Sequence, residues 1–427
     1  MTVIPIKNDC FRFAVSREAP SCTAKVVQGN RSFFLNARPA KSAKDTAFVA
    51  EYHVPARPAI QTTFNATEEF MRAVEPCWNV PDGATQKWHF HPKCGWMNDP
   101  NGLFFLDGQW HVFYQFNPLG IEWGNMHWGH AVSKDLRNWS HLPIALYPDD
   151  YGTMYSGSAV LDTDNTAGFG RNAILLFYTN AAYDSPKGTQ CLAISTDGGS
   201  TFQKYNDGMP IIGNITLDRD RDPNIAWDAE AGVWRLAIYF GTSPTKSRFG
   251  LFESHNLINW TPTDTYEIPD GAECPGIRPI VDEATGKTRW LFFEARCHYR
   301  IGDISINGRI HFDNPKPRRF FYGAAYAGQC FVNAPNNQIV YMAWLRMNPA
   351  PERQWTGCLS CPMGLRLNNG ELLVRPYHGF DDGTPAQLQD YLTEPPIGAA
   401  GRGLVFHDTF TDEYFDASER FAVGCVK

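Results

Sequence analysis

Three carboxylates are distinguished by their neighbours. Asp99 lies in GWMNDPNG, where apolar Trp96 and Met97 lead directly into the turn-forming Asp-Pro-Asn-Gly. That context predicts a carboxylate fixed and shielded at a strand end, although a plain turn former would carry the same residues. Asp222 lies in LDRDRDPNIAWD beside Arg221, a guanidinium able to hold it ionised through a charge-assisted contact. Glu273 stands between Ala272 and Cys274 in GAECPGI, where burial would raise its pKa. One carboxylate kept ionised and one carboxylic acid kept protonated are the pair that cleavage of a glycosidic bond requires. Trp96, Trp110, Trp123, Trp128 and Trp139 fall close to them in sequence, interleaved with Asn98, Asn101, Gln115, Asn117 and Asn125. Rings can cover the C–H faces of a sugar and amides can pair its hydroxyls. Trp110 and Trp139 fit a strand pattern better and are expected to pack between strands.

Other chemistries lose their support residue by residue. Asp218, Asp220 and Asp222 alternate as in a calcium loop, but Pro223 replaces the required glycine and the twelfth position is Ala229. Cys358 and Cys361 form a C-x-x-C without a second pair nearby, and two thiols on or near a strand is the simpler reading. His89 and His91, strand neighbours of Trp88 and Phe90, read as structural. Neither a G-x-S-x-G elbow nor an H-E-x-x-H helix is present. No metal and no cofactor is implied.

The elements that must bring these residues together are announced by a repeat. SKDLRNW begins at Ser133, STDGGSTF at Ser195 and SHNLINW at Ser254, each joining Ser, a polar turn and an aromatic. The aromatics are Trp139, Phe202 and Trp260, in steps of 63 and 58 residues. Short apolar or alternating runs precede each phrase, such as WHVFYQF, AILLFYT and WRLAIYF, and read as strands. A period near 60 without a convincing helix predicts four-stranded propeller blades, and the stretch from Trp88 to Pro376 holds about five of them. An all-β, five-bladed β-propeller is therefore expected over residues 85–376, with an irregular β-sandwich as the competing architecture.

The flanks differ from this core. Residues 1–84 carry strand-like pieces, FRFAVS, AKVVQ, SFFLNA and TAFVAEYHV, then a short helical pattern, NATEEFMRAV, with Asn65 placed to cap it. Residues 377–427 are rich in Gly, Asp and Pro, with apolar pieces only in GLVFHDTF and RFAVGCV. The two flanks are expected to pair into a small β domain against the propeller.

Composition bounds the partners. The 427 residues include 45 acidic and 38 basic side chains, for a net charge of −7, which disfavours nucleic acid and anionic membranes. Only 19% is charged, with 36 Gly and 30 Pro, which suits many turns rather than long surface helices. The beginning, MTVIPIKNDCFRF, lacks a basic region followed by an apolar stretch, so a cytoplasmic chain or one lacking its leader is expected.

Taken in order, WMNDPNG (96–102), YQFNP (114–118), WGNMHWGHAVSKDLRNW (123–139), YSGSA (155–159), RDP (221–223) and ECP (273–275) resemble the signature stretches of the invertase and β-fructosidase family, glycoside hydrolase family 32. The resemblance covers residues 88–376 and implies a five-bladed propeller. It implies Asp99 as nucleophile, Glu273 as acid and then base, and Asp222 as the transition-state stabiliser oriented by Arg221. Asn98, Gln115, Trp123, Tyr155 and Ser156 match positions lining a fructose subsite, and Trp344 in MAWLRM resembles a fifth-blade wall residue. Retention of configuration follows, with the Asp99 and Glu273 carboxyls ~5–6 Å apart. The implied substrate is sucrose or the non-reducing end of a fructan, the alternatives being a fructosyltransferase with the same carboxylates or a fructan-binding propeller without turnover. Gly276 departs from the pattern, since many members carry an acidic residue there, and this leaves the leaving-group side open.

Overall fold

The computed structural model describes residues 89–377, except 119–120, 125, 150, 183–186, 244–245 and 350–354, together with the backbone of five strands before residue 66. Five antiparallel sheets follow one another along residues 95–376, arranged as the five blades of a β-propeller. The first blade runs outward from Gly95–Leu106 through Gln109–Asn117 and His127–Ser133 to Trp139–Leu146. The second, third, fourth and fifth start from the inner strands Thr153–Asp162, Arg221–Asp228, Gly276–Val281 and Ala325–Cys330.

Strand alternation explains why the sheets assemble into a ring. In Ala173–Ala181, the second strand of the second blade, every residue is buried. Ile174, Leu176 and Tyr178 join Phe104, Phe113 and Trp128 of the first blade, whereas Leu175 and Phe177 join Ile225, Leu236 and Ile238 of the third. Successive side chains on a strand point to opposite faces, so a strand apolar on both faces needs a neighbouring sheet on each side. The same sharing recurs between blades three and four, four and five, and five and one, which closes the circle. Outermost strands such as Trp139–Leu146 are half-buried or exposed at most positions.

The last blade is tied to the first by backbone as well. Trp355–Thr356 pairs in parallel with Gly95 and Trp96. Phe105 N–H donates to Val332 O at 2.9 Å, and Val332 N–H donates to Leu103 O at 2.8 Å. His89 and His91 belong to this closure: His89 Nδ1 lies 2.8 Å from Leu359 O, and the His91 ring stacks on Trp355 at 4.1 Å. They are structural, as expected, but precede the first strand instead of lying in one.

The repeated phrase has one structural meaning. Ser133, Ser195 and Ser254 end the third strand of their blades, and each hydroxyl donates to the side chain two residues on, Asp135, Asp197 or Asn256. That side chain then accepts the N–H groups of the following turn, as Asp135 does from Arg137 and Asn138 at 2.9 and 2.7 Å. Three residues after each serine, Leu136, Gly198 and Leu257 take positive φ of 61°, 72° and 61°. The polar brace offsets that strain, and it returns the chain to the outer strand in every case.

Before the propeller, Cys10–Ser16 pairs with Ala47–His53, and Cys22–Gln28 lies between Arg31–Ala37 and Thr62–Asn65. Four of these five strands coincide with the strand-like pieces in the sequence, whereas Thr62–Asn65 matches none of them. Asn65 ends a strand, and the remainder of the expected helix lies outside the described residues. So do GLVFHDTF and RFAVGCV, and with them the expected pairing of the two flanks.

Candidate active site

Backbone irregularities aim the polar residues into the centre of the ring. Four of the five inner strands slip register near their starts, between Met97 and Pro100, Tyr155 and Gly157, Arg221 and Asn224, and Tyr326 and Gln329. A bulge leaves residues unpaired and turns their side chains out of the normal alternation. Asn98 and Asp99, Ser156 and Asp222 occupy these slips, and Asp222 holds a φ of +62°. Glu273 arrives just before the fourth inner strand, followed by Cys274 at φ +52°.

All ten residues that the family resemblance assigns to the site line one cavity of about 570 Å³: Asp99, Asp222, Glu273, Asn98, Gln115, Trp123, Tyr155, Ser156, Arg221 and Trp344. They come from all five blades or the connections between them. Asp99 and Asp222 form the buried floor. Ser156 Oγ donates to Asp99 Oδ2 at 2.6 Å. Asp222 Oδ2 accepts the Cys274 N–H at 3.1 Å, and the Asp222 N–H donates to Thr179 Oγ1 at 2.9 Å. The Cys274 thiol lies between the two carboxylates, with Sγ 3.5 Å from Asp99 Oδ2 and 3.4 Å from Asp222 Oδ2. Trp96 Nε1 donates to Asn98 Oδ1 at 2.8 Å, and Gln115 Nε2 donates to Met154 O at 2.8 Å, so both amides are held in place.

The electrostatics correct two expectations. Arg221 was expected to hold Asp222; its Nε stands 3.5 Å from Asp222 Oδ2 but donates, with Nη2, to Glu273 Oε2 at 3.1 and 2.5 Å. Burial, with the charges of Glu273 and Asp99, raises the Asp222 pKa against the pull of Arg221. Asp99 is pushed up to about 6, first by burial and then by Glu273, with Ser156, Asn98 and Cys274 opposing through hydrogen bonds. Glu273 is the most open of the three, with 30% of its side chain exposed, because only its neighbours Ala272 and Cys274 turn inward.

Several amides and rings near the carboxylates in sequence serve the scaffold instead. Asn101 Oδ1 accepts from Gly157 N–H, Asn117 Nδ2 donates to Glu122 O, and Trp128 is fully buried with Nε1 donating to Tyr155 O. Trp110 packs in the core as expected, and Asn125 lies outside the described residues. Asp220 accepts from Ile215 and Thr216 N–H, so it organises a loop. Cys358 is a buried strand thiol and Cys361 is half-buried beyond it, as read. At Gly276 a Cβ would stand 2.0–2.4 Å from the Phe293 ring, so an acidic side chain has no room unless that ring moves.

Sequence reasoning missed Tyr326, whose hydroxyl donates to Glu273 Oε1 at 2.9 Å, and Thr179 and Arg219, which also line the cavity. Nothing around Tyr326 in AYAGQC marks it. The role of Cys274 was readable only as a neighbour of Glu273.

The hub of the propeller thus gathers four acidic side chains, two arginines and two indoles, of which Trp123 is exposed and Trp344 half-buried. The model of the glycosyl hydrolases family 32 N-terminal domain matches residues 89–376, and the chain belongs to that family. It is 33% identical over 313 residues to a levanase of Bacillus subtilis, covering 66% of this chain and 44% of the relative. It is 37% identical over 224 residues to an invertase of Schizosaccharomyces pombe, covering 48% and 37%. The chain thus spans less than half the length of these relatives. Among solved structures, an exo-inulinase from Aspergillus awamori superposes with a TM-score of 0.61 at 25% identity, covering 70% of this chain and 68% of that one. A family 32 β-fructofuranosidase of Bombyx mori superposes at 0.58 and 29%, covering 73% and 68%.

Proposed function

We propose that this protein is a retaining β-fructofuranosidase, removing the terminal non-reducing β-D-fructofuranosyl unit of sucrose or a fructan. The observation that carries the reading is the convergence of Asp99, Asp222 and Glu273 on one cavity, with the Cys274 thiol linking the first two and Arg221 linking the last two. Relatives named levanase, invertase and exo-inulinase support the substrate class. Structures described as complexes with fructosylnystose and with 1-kestose support an oligosaccharide in the cavity.

In this mechanism an Asp99 oxygen attacks the anomeric carbon of the fructosyl unit as Glu273 protonates the departing glycosidic oxygen, giving a covalent fructosyl ester and a free alcohol. Glu273, now a carboxylate, takes a proton from water, the hydroxide oxygen attacks the same carbon, and the Asp99 ester is released with fructose. Asp222 supplies a nearby carboxylate to the oxocarbenium-like transition state and a hydrogen-bond acceptor to the sugar hydroxyls. Carboxylates suffice for both steps, so no cofactor enters.

Sucrose hydrolysis followed by NMR tests the reading: β-configured fructofuranose should form first, with equimolar glucose. An α-configured first product would overturn retention, growing oligosaccharides would mark a fructosyltransferase, and no turnover would leave a fructan-binding propeller. Undiminished activity in Asp99→Ala would remove the assigned nucleophile.

A further inference from the structure

The mouth of the cavity carries a cation that the proposed chemistry does not use. Arg219 lines the cavity with Glu273 but is exposed, and among the described residues no carboxylate forms an ion pair with it. Its neighbour Asp220 is occupied by the N–H groups of Ile215 and Thr216. Its own backbone is firmly held. Asn214 Nδ2 donates to Gly188 O at 3.0 Å and to Asp218 O at 2.7 Å, and Ile212 is bridged to Gln190 on the second blade. Arg221 Nη1 donates to Arg219 O at 2.9 Å, so the arginine that grips Glu273 also fixes the chain that presents Arg219. Tyr155 lines the same cavity as Arg219. Trp123 meets the Tyr155 ring edge-on, with centroids 6.0 Å apart, and is 56% exposed.

A fructosyl unit on the floor, with its anomeric carbon between Asp99 and Glu273, directs the leaving unit outward past Glu273. We propose that Arg219 is a specificity-determining residue that donates hydrogen bonds to the hydroxyls of that leaving sugar, with the Trp123 indole as the opposing wall. Anchoring of the Arg219 backbone supports this, because on binding only the side chain's own freedom is left to be lost. The inference rests on the fructosidase reading above and concerns the leaving-group side.

The test compares two substrates that share the fructosyl unit: sucrose, whose leaving group is a whole sugar, and methyl β-D-fructofuranoside, whose leaving group is methanol. Arg219→Ala should lower kcat/KM about tenfold on sucrose and less than twofold on the methyl glycoside, with Arg219→Lys recovering part of the sucrose loss. Because the methyl glycoside is assayed on the same preparation, general misfolding would lower both. Equal losses, or no loss on sucrose, would overturn the proposal while leaving the fructosidase reading intact. Turnover of neither substrate by the unaltered protein would overturn that reading and this inference with it.

Discussion

Arg221 and Glu273 are joined through a single oxygen. Arg221 donates to Glu273 Oε2 from Nε at 3.1 Å and from Nη2 at 2.5 Å, while Tyr326 donates to the other oxygen, Oε1, at 2.9 Å. The planar guanidinium also packs on Tyr239, with Cζ 4.4 Å from the ring centroid. Glu273 is therefore oriented by two blades besides the one it introduces.

Arg221→Lys should lower kcat about 100-fold even though the charge is kept, because an ammonium lacks the fork that orients Glu273 and spans to Asp222. Steady-state kinetics on sucrose would check it, and full activity in the lysine variant would show that charge alone matters. Tyr326→Phe, which removes one donor from Glu273, should cost about tenfold in kcat with little change in KM.

Asp99 and Asp222 together set the acidic limb of the pH profile, because burial raises the pKa of both and both act as carboxylates. Burial and then Glu273 push the Asp99 pKa up to about 6, so kcat/KM should already be falling by about pH 6 as Asp222 and the nucleophile become protonated. The same shift costs stability. A carboxyl whose folded pKa exceeds its unfolded value favours the fold most below about pH 4, and that contribution is lost as pH rises through about 6. Asp99→Asn should thus abolish turnover yet stabilise the protein at pH 7–8 by up to about 3 kcal/mol, the advantage vanishing near pH 4. Urea titrations of both proteins across that range would show it.

Cys274→Ala should move the acidic limb to higher pH. The thiol lies against both Asp99 and Asp222, and its loss removes a group that opposes the raised pKa of Asp99. A displacement of about half a pH unit is expected, with kcat/KM about twofold lower at pH 6 and the difference narrowing toward pH 8. An unmoved limb would show that the thiol only fills space.

Asp135 lies in the repeated turn, outside the cavity lining; burial pushes its carboxyl up, but hydrogen bonds from Asn138, Arg137 and Ser133 together outweigh that and hold it down to about 2. Asp135→Ala should destabilise by about 1 kcal/mol at neutral pH, a modest figure because the group is mostly exposed. The stabilisation exists above about pH 4 and is lost as pH falls through about 2, so parent and variant should converge there. Activity per folded molecule should be unchanged, which activity normalised to the folded fraction would check.

The repeat made the blades legible because each copy uses the same local device, a serine bracing a turn whose third residue takes positive φ, and local hydrogen bonds leave a local sequence trace. The ten site residues were legible through their resemblance to family motifs, and all ten line one cavity. Proximity in sequence misled where a bulge was involved. Asn98 and Asn101 are three residues apart, yet one lines the cavity and the other is sealed among inner strands.

By itself the sequence determined the five-bladed architecture, through periodic turns and runs apolar on both faces, and the chemical inventory of the site. Tertiary structure decided which residues act as partners. Arg221 is adjacent to Asp222 in the chain but forks onto Glu273, 52 residues away, and Tyr326 and Cys274 acquire their roles only where inner strands converge. The physical reason lies in charge and burial. A pKa or an ion pair depends on every group within a few ångströms, and here those groups are supplied by different blades, at distances that the closed ring alone brings about.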